Sequence, residues 1–458
     1  FKHAMSYIRL ALTGNGAPVK SVTLESNNQE ALAGKLTATC TEGAWGLAQA
    51  EGSIYSVTLD CGSEGAAIGD KMVIAVPAGT YAEGLSIVIK NTNSQYQVKK
   101  ATNPFTAEAG GIYDMTFEFV SQGTVVEGDI YTVSDWNAFA KKVAEGETFE
   151  GKTITLRNNL TVDTYFEYAN GTFQGTFDGN GKKMTANGNT WPLFATVGVN
   201  GVVKNITMDG KFAKFANAGE AGNATIAKIN LGLIQDVTNY ADATDISVTT
   251  GVVFASICGQ NGGTLKRCKN YGDISVTYAS SGNYAFYGGG LCALGHTVKG
   301  AASGTALNVD DTCSPGQFID CENHGNITIT ATNGKPVRQG FGGICGLVYF
   351  NGVKFEGCIN TGNISRVSNG ELSSDKSASV GGILGRSAGW YTTGSGDSGA
   401  LDTSAAGFDT EFTDCSNSGT IYCYCRHSGG ISATGSCARA DGIGGIAGTL
   451  IGNSSNIQ

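Results

Sequence analysis

The sequence predicts an all-β chain: an antiparallel β-sandwich followed by a right-handed parallel β-helix with an N-terminal capping helix. Three observations carry this. First, the skeleton Cys-x-Asn-x-Gly-x-Ile recurs as CKNYGDI from Cys268, CENHGNI from Cys321, CINTGNI from Cys358 and CSNSGTI from Cys415. Second, GGLCALG from Gly289, GGICGLV from Gly342, GGILGRS from Gly381 and GGIAGTL from Gly444 repeat in alternation with it. Third, glycine supplies 68 of 458 residues and proline only 6, about twice the usual ~7 % glycine share. A fixed internal repeat marks a stacked architecture, and surplus glycine without proline suits short strands with tight corners.

Residues 1–120 read as the sandwich. SYIRLALTG, SVTLES, SIYSVTLDC, MVIAVPAG, LSIVIKN and YDMTFEFV are short alternating segments separated by Gly, Asn and Pro, the pattern of antiparallel strands. SQGTVVEGD, within the linker 121–130, joins it to the repeats at 131–458. A helix is expected over 134–145: Ser134 is a suitable N-cap, and Trp136, Phe139, Ala140 and Val143 form one apolar face. It would cover the open end of the solenoid, burying the last apolar layer and hiding an unpaired edge. The first coils follow as TITLRNNLTV, FQGTFDGNGKKM and WPLFATVGVNGVVKNITMDG.

Within each unit an apolar residue precedes the repeat cysteine by three: Leu265/Cys268, Phe318/Cys321, Phe355/Cys358 and Phe412/Cys415, with Val203/Ile206 and Ile234/Val237 in the same frame. That spacing breaks strict strand alternation, which places a corner or bulge between the two. Asn270, Asn323, Asn360 and Asn417, with Asn239 in the same place, precede Gly272, Gly325, Gly362 and Gly419 in turns; both types tolerate left-handed backbone. Ile274, Ile327, Ile364 and Ile421 restart a strand. Each unit thus reads as three short strands: GGIxG, the strand ending at Cys, and the strand from Ile. No segment of the repeats keeps a helical period, and cysteine spacings of 53, 37 and 57 suit coils carrying loop insertions better than propeller blades. Stacked coils would align the four asparagines as a hydrogen-bonded ladder.

Thirteen cysteines raise disulfide and metal readings. The internal alignment argues for packing: Ile206 and Val237 share the Cys268 column, and Leu384 and Ala447 share that of Cys258, Cys292 and Cys345. Free Cys behaves as a small hydrophobe, so the repeat thiols are expected to be free. Cys40 and Cys61, outside the repeats, are the pair best placed for a bridge. Cys423, Cys425 and His427 have spacing that could ligate zinc; without a second CxxC or His-x-His nearby, small buried thiols beside an exposed His are preferred. No metal and no cofactor is expected.

Net charge −9 and pI near 5.1 argue against nucleic acid and anionic membrane as partners. No apolar run approaches the ~20 residues of a membrane span. Phe1 reads as a cut end without a signal peptide, and GGIAGTLIGNSSNIQ stops partway through a unit, so the natural chain is expected to continue.

FKHAMSYIRLAL, MVIAVPAGTYAEGLSIVIKN and AEAGGIYDMTFEF resemble the later half of a fimbrillin-like domain, the family of surface pilins and accessory or tip subunits in Bacteroides-type Gram-negative bacteria. From Tyr131, GTFDGNG, the GLF-type segment and GGIxG are similar to GLUG-motif repeats of bacterial surface and adhesin-like proteins. The resemblance implies export to the cell surface, adhesion, and other pilus subunits as partners. The family's N-terminal lobe, lipid-anchored cysteine and processing site have no match here, so donor-strand polymerisation does not carry over.

Three function classes stand: an adhesin or pilus-associated binding protein for a glycan or host/matrix protein, a polysaccharide-active enzyme, and a structural spacer. The first is expected. An enzyme needs paired carboxylates, or a carboxylate with Arg or Lys, on one exposed face. Asp310-Asp311 is the one tight acidic pair of the repeats, and His296, His324 and His427 fall in different registers. A binding slot is expected between insertions at 295–317 and 386–411, roughly 10 Å wide. Its floor would carry Tyr349 and Phe350, and its walls Trp390, Tyr391, Asp310 and Asp311. The competing reading, in which Phe350 packs inward and the loops only cover the coil, stays open.

Overall fold

The computed structural model describes residues 4–28, 30–41, 44–162, 169–187, 192–211, 221–249, 252–279, 285–297, 314–333, 338–348, 352–368, 378–387, 410–424, 443–450 and 456–457. These are all-β apart from one helix, Val133–Ala144. The chain divides into two compact units, 1–138 with 155–166 and 139–154 with 167–458.

In the first unit, all six strands read from the alternation are present. Val19–Ser26, Ser56–Asp60, Leu85–Asn91 and Tyr96–Lys100 form one antiparallel sheet. The other sheet departs from the antiparallel expectation. Met5–Thr13 pairs antiparallel with Met72–Pro77 but parallel with Ile112–Glu118, Tyr7 lying opposite Ile112. A parallel partner needs a long connection, and here most of the unit lies between the two strands. Inward residues of both sheets (Ile8, Leu10 and Ile74 from one, Val22, Leu24 and Ile87 from the other) share one apolar core.

The N-cap is Thr132 rather than Ser134. Asp135 N–H donates to Thr132 Oγ1 at 3.1 Å while Thr132 N–H donates to Asp135 Oδ2 at 3.0 Å, the reciprocal capping arrangement. Ser134 lies within the first helical turn and is exposed. Val133 N–H donates to the buried Glu25 carboxyl at 2.9 Å. The expected apolar face is buried at Trp136, Phe139, Ala140 and Val143. In the second unit, Phe139 packs on Phe149, Phe173, Phe177 and Phe194, with ring centroids 5.0–6.3 Å apart.

The second unit is a stack of parallel sheets built one coil at a time. One coil runs through Arg338–Gly342, Cys345–Val348, Lys354–Glu356 with Ile359–Asn360, and Ile364–Ser368, each strand pairing in parallel with its equivalent in the next coil. The unit therefore has four strands, not three. GGIxG is not a strand but the corner between two: one strand ends at Gly342 and the next begins at Cys345. The expected bulge before the cysteine is present. Asn205, Asp236, Arg267, Asp320, Gly357 and Asp414, each just before the inward Ile, Val or Cys, have φ of 49–61°. This left-handed residue turns Phe355 and Cys358 to the same interior.

The Asn-x-Gly turns need glycine for a different reason from the one expected. Gly325 and its equivalents are not left-handed; a Cβ on Gly325 would collide with the carbonyl oxygen of Gly272 in the preceding coil. The coils meet too closely there for any side chain. The asparagines turn inward as a ladder: Nδ2 of Asn239 donates to Asn270, Asn270 to Asn323, Asn323 to Asn360 and Asn360 to Asn417, at 2.6–2.8 Å. Beside it stack Phe318, Phe355 and Phe412, their rings 7° from parallel.

Cys258, Cys268, Cys292, Cys321, Cys345, Cys358, Cys415 and Cys423 are free thiols. Cys258, Cys292 and Cys345 share a column with Leu384 and Ala447. Burial pushes the thiols of Cys268 and Cys292 well above their ordinary value. Cys61 is also free, its sulfur 3.9 Å from Met72 Sδ; the side chain of Cys40, its candidate partner, lies outside the described residues.

Candidate functional site

The residues expected to line the slot, Tyr349, Phe350, Trp390, Tyr391, Asp310 and Asp311, lie outside the described residues, as do Cys425 and His427. Among the described residues no group of three His, Cys, Asp or Glu is placed to hold a metal ion, and no helix is long and apolar enough to cross a membrane. His296 is fully buried, and burial pushes its pKa down to about 3, which leaves the ring neutral near pH 7.

What the coils do present outward is the middle residue of each Asn-x-Gly turn. Because the Asn side chain enters the core, the next residue leaves it. Tyr240, Tyr271, His324, Thr361 and Ser418 therefore form a column, each backbone N–H bonded to the preceding coil at 2.7–2.9 Å. Tyr240 stacks on Tyr271 with centroids 5.0 Å apart, and Tyr271 on His324 at 4.6 Å, both pairs 13° from parallel. The two tyrosines remain 49 % and 40 % exposed, so ring edges and hydroxyls face solvent. Large apolar surface left in water in an ordered row, rather than scattered singly, marks a contact surface.

Polar groups fix this ridge on both sides. The two His324 ring nitrogens lie 2.8 Å from Thr361 Oγ1 and Glu322 Oε2, and Lys269 Nζ lies 2.9 Å from Glu322 Oε1. Burial raises the Glu322 pKa, but its bonds to Lys269 and His324 outweigh this and hold it below the ordinary carboxyl range. On the other side runs a rail of Asx side chains. Asp242 accepts from Asp273 N–H, Asp273 from Asn326 N–H, Asn326 from Asn363 N–H and Asn363 from Thr420 N–H, at 2.7–3.1 Å.

This arrangement can bind, through rigid ring edges flanked by hydrogen-bonding groups of fixed direction. The internal alignment contains the signal: Tyr240, Tyr271 and His324 occupy one position between the repeated Asn and its following Gly or Ala. The pattern of glycines and asparagines around them draws attention from it. No protein-family model matches the chain, and no curated protein matches it.

Proposed function

We propose that this chain is an adhesin-like surface binding protein. Its repeats form a right-handed parallel β-helix, capped by the helix at 133–144, and the ridge of Tyr240, Tyr271 and His324 contacts a glycan or a host or matrix protein. The observation that carries this reading is the exposed, register-locked ring stack. The right hand follows from the strong preference of parallel crossovers. Fimbrillin-like and GLUG-like segments add the expectation of export to the outer surface of a Gram-negative cell, with pilus subunits as further partners. The reading requires no cofactor.

A structural spacer is the second reading, favoured by the Asn ladder, whose carboxamides bond from coil to coil in one repeating pattern. Arrays of immobilised glycans and matrix proteins, probed with the chain and with a Y240A/Y271A/H324A variant, separate the two. The adhesin reading expects at least one ligand retained by the chain and lost by the variant with its fold intact. No retained ligand would favour the spacer, and release of new reducing ends from a polysaccharide would favour the enzyme.

A further inference from the structure

An open groove of about 350 Å³ lies in the first coils of the second unit, lined by Asp178, Asn180, Asn205, Ile206, Thr207 and Asp236 among others. The bulge column forms it. Asn180, Asn205 and Asp236 are left-handed, with φ of 52°, 56° and 54°, which breaks the strand alternation and gathers short polar side chains on one surface. Ile206 itself is buried, 1 % exposed. The groove's chemistry is therefore set by carboxylates, carboxamides and one hydroxyl.

Both carboxylates are already neutralised. Asp178 Oδ1 accepts Asn180 N–H at 2.8 Å and Asn205 Nδ2 at 3.0 Å, and its Oδ2 lies 3.3 Å from Lys204 Nζ. Asp236 takes Nε and Nη2 of Arg267 at 2.7 and 2.8 Å. A divalent cation such as calcium needs six to eight oxygen ligands, and here the acidic oxygens are committed to N–H donors beside two fixed positive charges. An apolar peptide side chain would face a wall that is mostly polar. A hydroxyl group suits the site, because it can donate to a remaining carboxylate lone pair while accepting from an amide or from Thr207. The volume is at the lower end of small-ligand sites, which span ~300–1,000 Å³.

We propose that this groove is a sugar subsite that reads the ring hydroxyls of a neutral glycan; the proposal rests on reading the chain as a binding protein. Asp236 lies in the strand Leu233–Asn239 and Tyr240 follows its end, so the two are at most roughly 13 Å apart at ~3.3 Å per residue. One short oligosaccharide can reach both the groove and the aromatic ridge.

The test uses the full chain and saturation-transfer NMR with the neutral methyl glycosides of glucose, galactose, mannose and N-acetylglucosamine. Thr207→Val removes the hydroxyl at constant shape. Asn205→Gly removes the carboxamide while keeping the left-handed backbone accessible. The proposal expects saturation of at least one glycoside, unaffected by a chelator, and weakened roughly tenfold by each variant, the size of one lost hydrogen bond to a polar ligand. Absence of glycoside binding, binding indifferent to both variants, or dependence on calcium would overturn it. A matrix protein or polysaccharide that loses attachment with Tyr271→Ala but not with Thr207→Val or Asn205→Gly would leave the binding-protein reading standing and remove the groove from it.

Discussion

Asn323 Nδ2 donates to Asn360 Oδ1, 2.8 Å away in the next coil, and also to Gly325 O at 2.9 Å within its own turn. Both asparagines are fully buried. The same two bonds recur at Asn270 and Asn360, so a residue type that normally prefers water spans the interior as a continuous chain of satisfied amides. Its partners are set by coil stacking alone, which makes the ladder a direct readout of register.

Breaking one rung leaves its neighbours' buried groups without partners, and that costs more than the lost bond itself. Asn323→Ala is expected to destabilise the second unit by about 2–3 kcal/mol. Asn200→Ala removes an exposed bond to Glu150 and should cost less than about 0.5 kcal/mol. Chemical denaturation of both variants measures the difference; equal losses would show that the ladder contributes nothing beyond a surface amide.

The buried thiols predict a contrast of another kind. Cys321 follows Val237 and Cys268 in one inward column, its sulfur 3.4 Å from Leu265 O. Cys321→Val should cost less than about 1.5 kcal/mol, as expected for a near-isosteric apolar change. In the folded chain Cys268, Cys321 and Cys358 should resist iodoacetamide, while the partly exposed Cys61, Cys415 and Cys423 react. Mass spectrometry of labelled peptides reads this directly, and early labelling of Cys321 would contradict the packing assignment.

Much of this was legible because it repeats. The inward Cys column and Asn ladder emerge from aligning the chain with itself, since a position that accepts Cys, Ile and Val cannot be a ligand position. GGIxG misleads because glycine has no side chain to show alternation, so a corner and a buried strand look alike. Thr132 and Ser134 are equally good N-caps by type, and only the reciprocal bond to Asp135 separates them. Nothing local announces that Met5–Thr13 pairs in parallel with a strand a hundred residues later. Arg366 escapes for the opposite reason: its charge suggests solvent, yet it is fully buried, with Nε 3.3 Å from Gln339 Oε1. The candidate slot lies outside the described residues, whereas the ridge was readable in the alignment as Asn-Tyr, Asn-Tyr, Asn-His.

Stability should depend on pH through Glu25. Burial, with a smaller contribution from the Asp135 charge, raises its pKa from 4.5 to about 7 against the opposing pull of the Val133 N–H. The folded chain thus holds a proton that the unfolded chain releases between these values. Stability from this group is full below about 4.5 and falls as pH rises to about 7, by at most about 3 kcal/mol. Glu25→Gln keeps an acceptor for Val133 and cannot ionise. It should flatten the slope over that window and unfold at higher denaturant than the unsubstituted chain at pH 8. A slope unchanged by the substitution would assign it to another group.

The closeness of the coils gives the sharpest contrast, between two glycines in the same motif position. A Cβ on Gly343 would strike the carbonyl oxygen of Gly382 in the next coil and the Asn360 carboxamide beside it. Neither is the free end of a flexible chain: one is backbone and the other is locked in the ladder. A Cβ on Gly445, two coils later, meets nothing within 4 Å among the described residues. Gly343→Ala is therefore expected to cost about 3 kcal/mol or more, through backbone displacement that also breaks the Asn323–Asn360 rung. Gly445→Ala should be neutral or slightly stabilising, by up to about 1 kcal/mol, because alanine restricts the unfolded chain. Melting both variants of this chain tests the pair. Similar losses at the two positions would mean that glycine serves backbone conformation at this corner rather than the contact between coils.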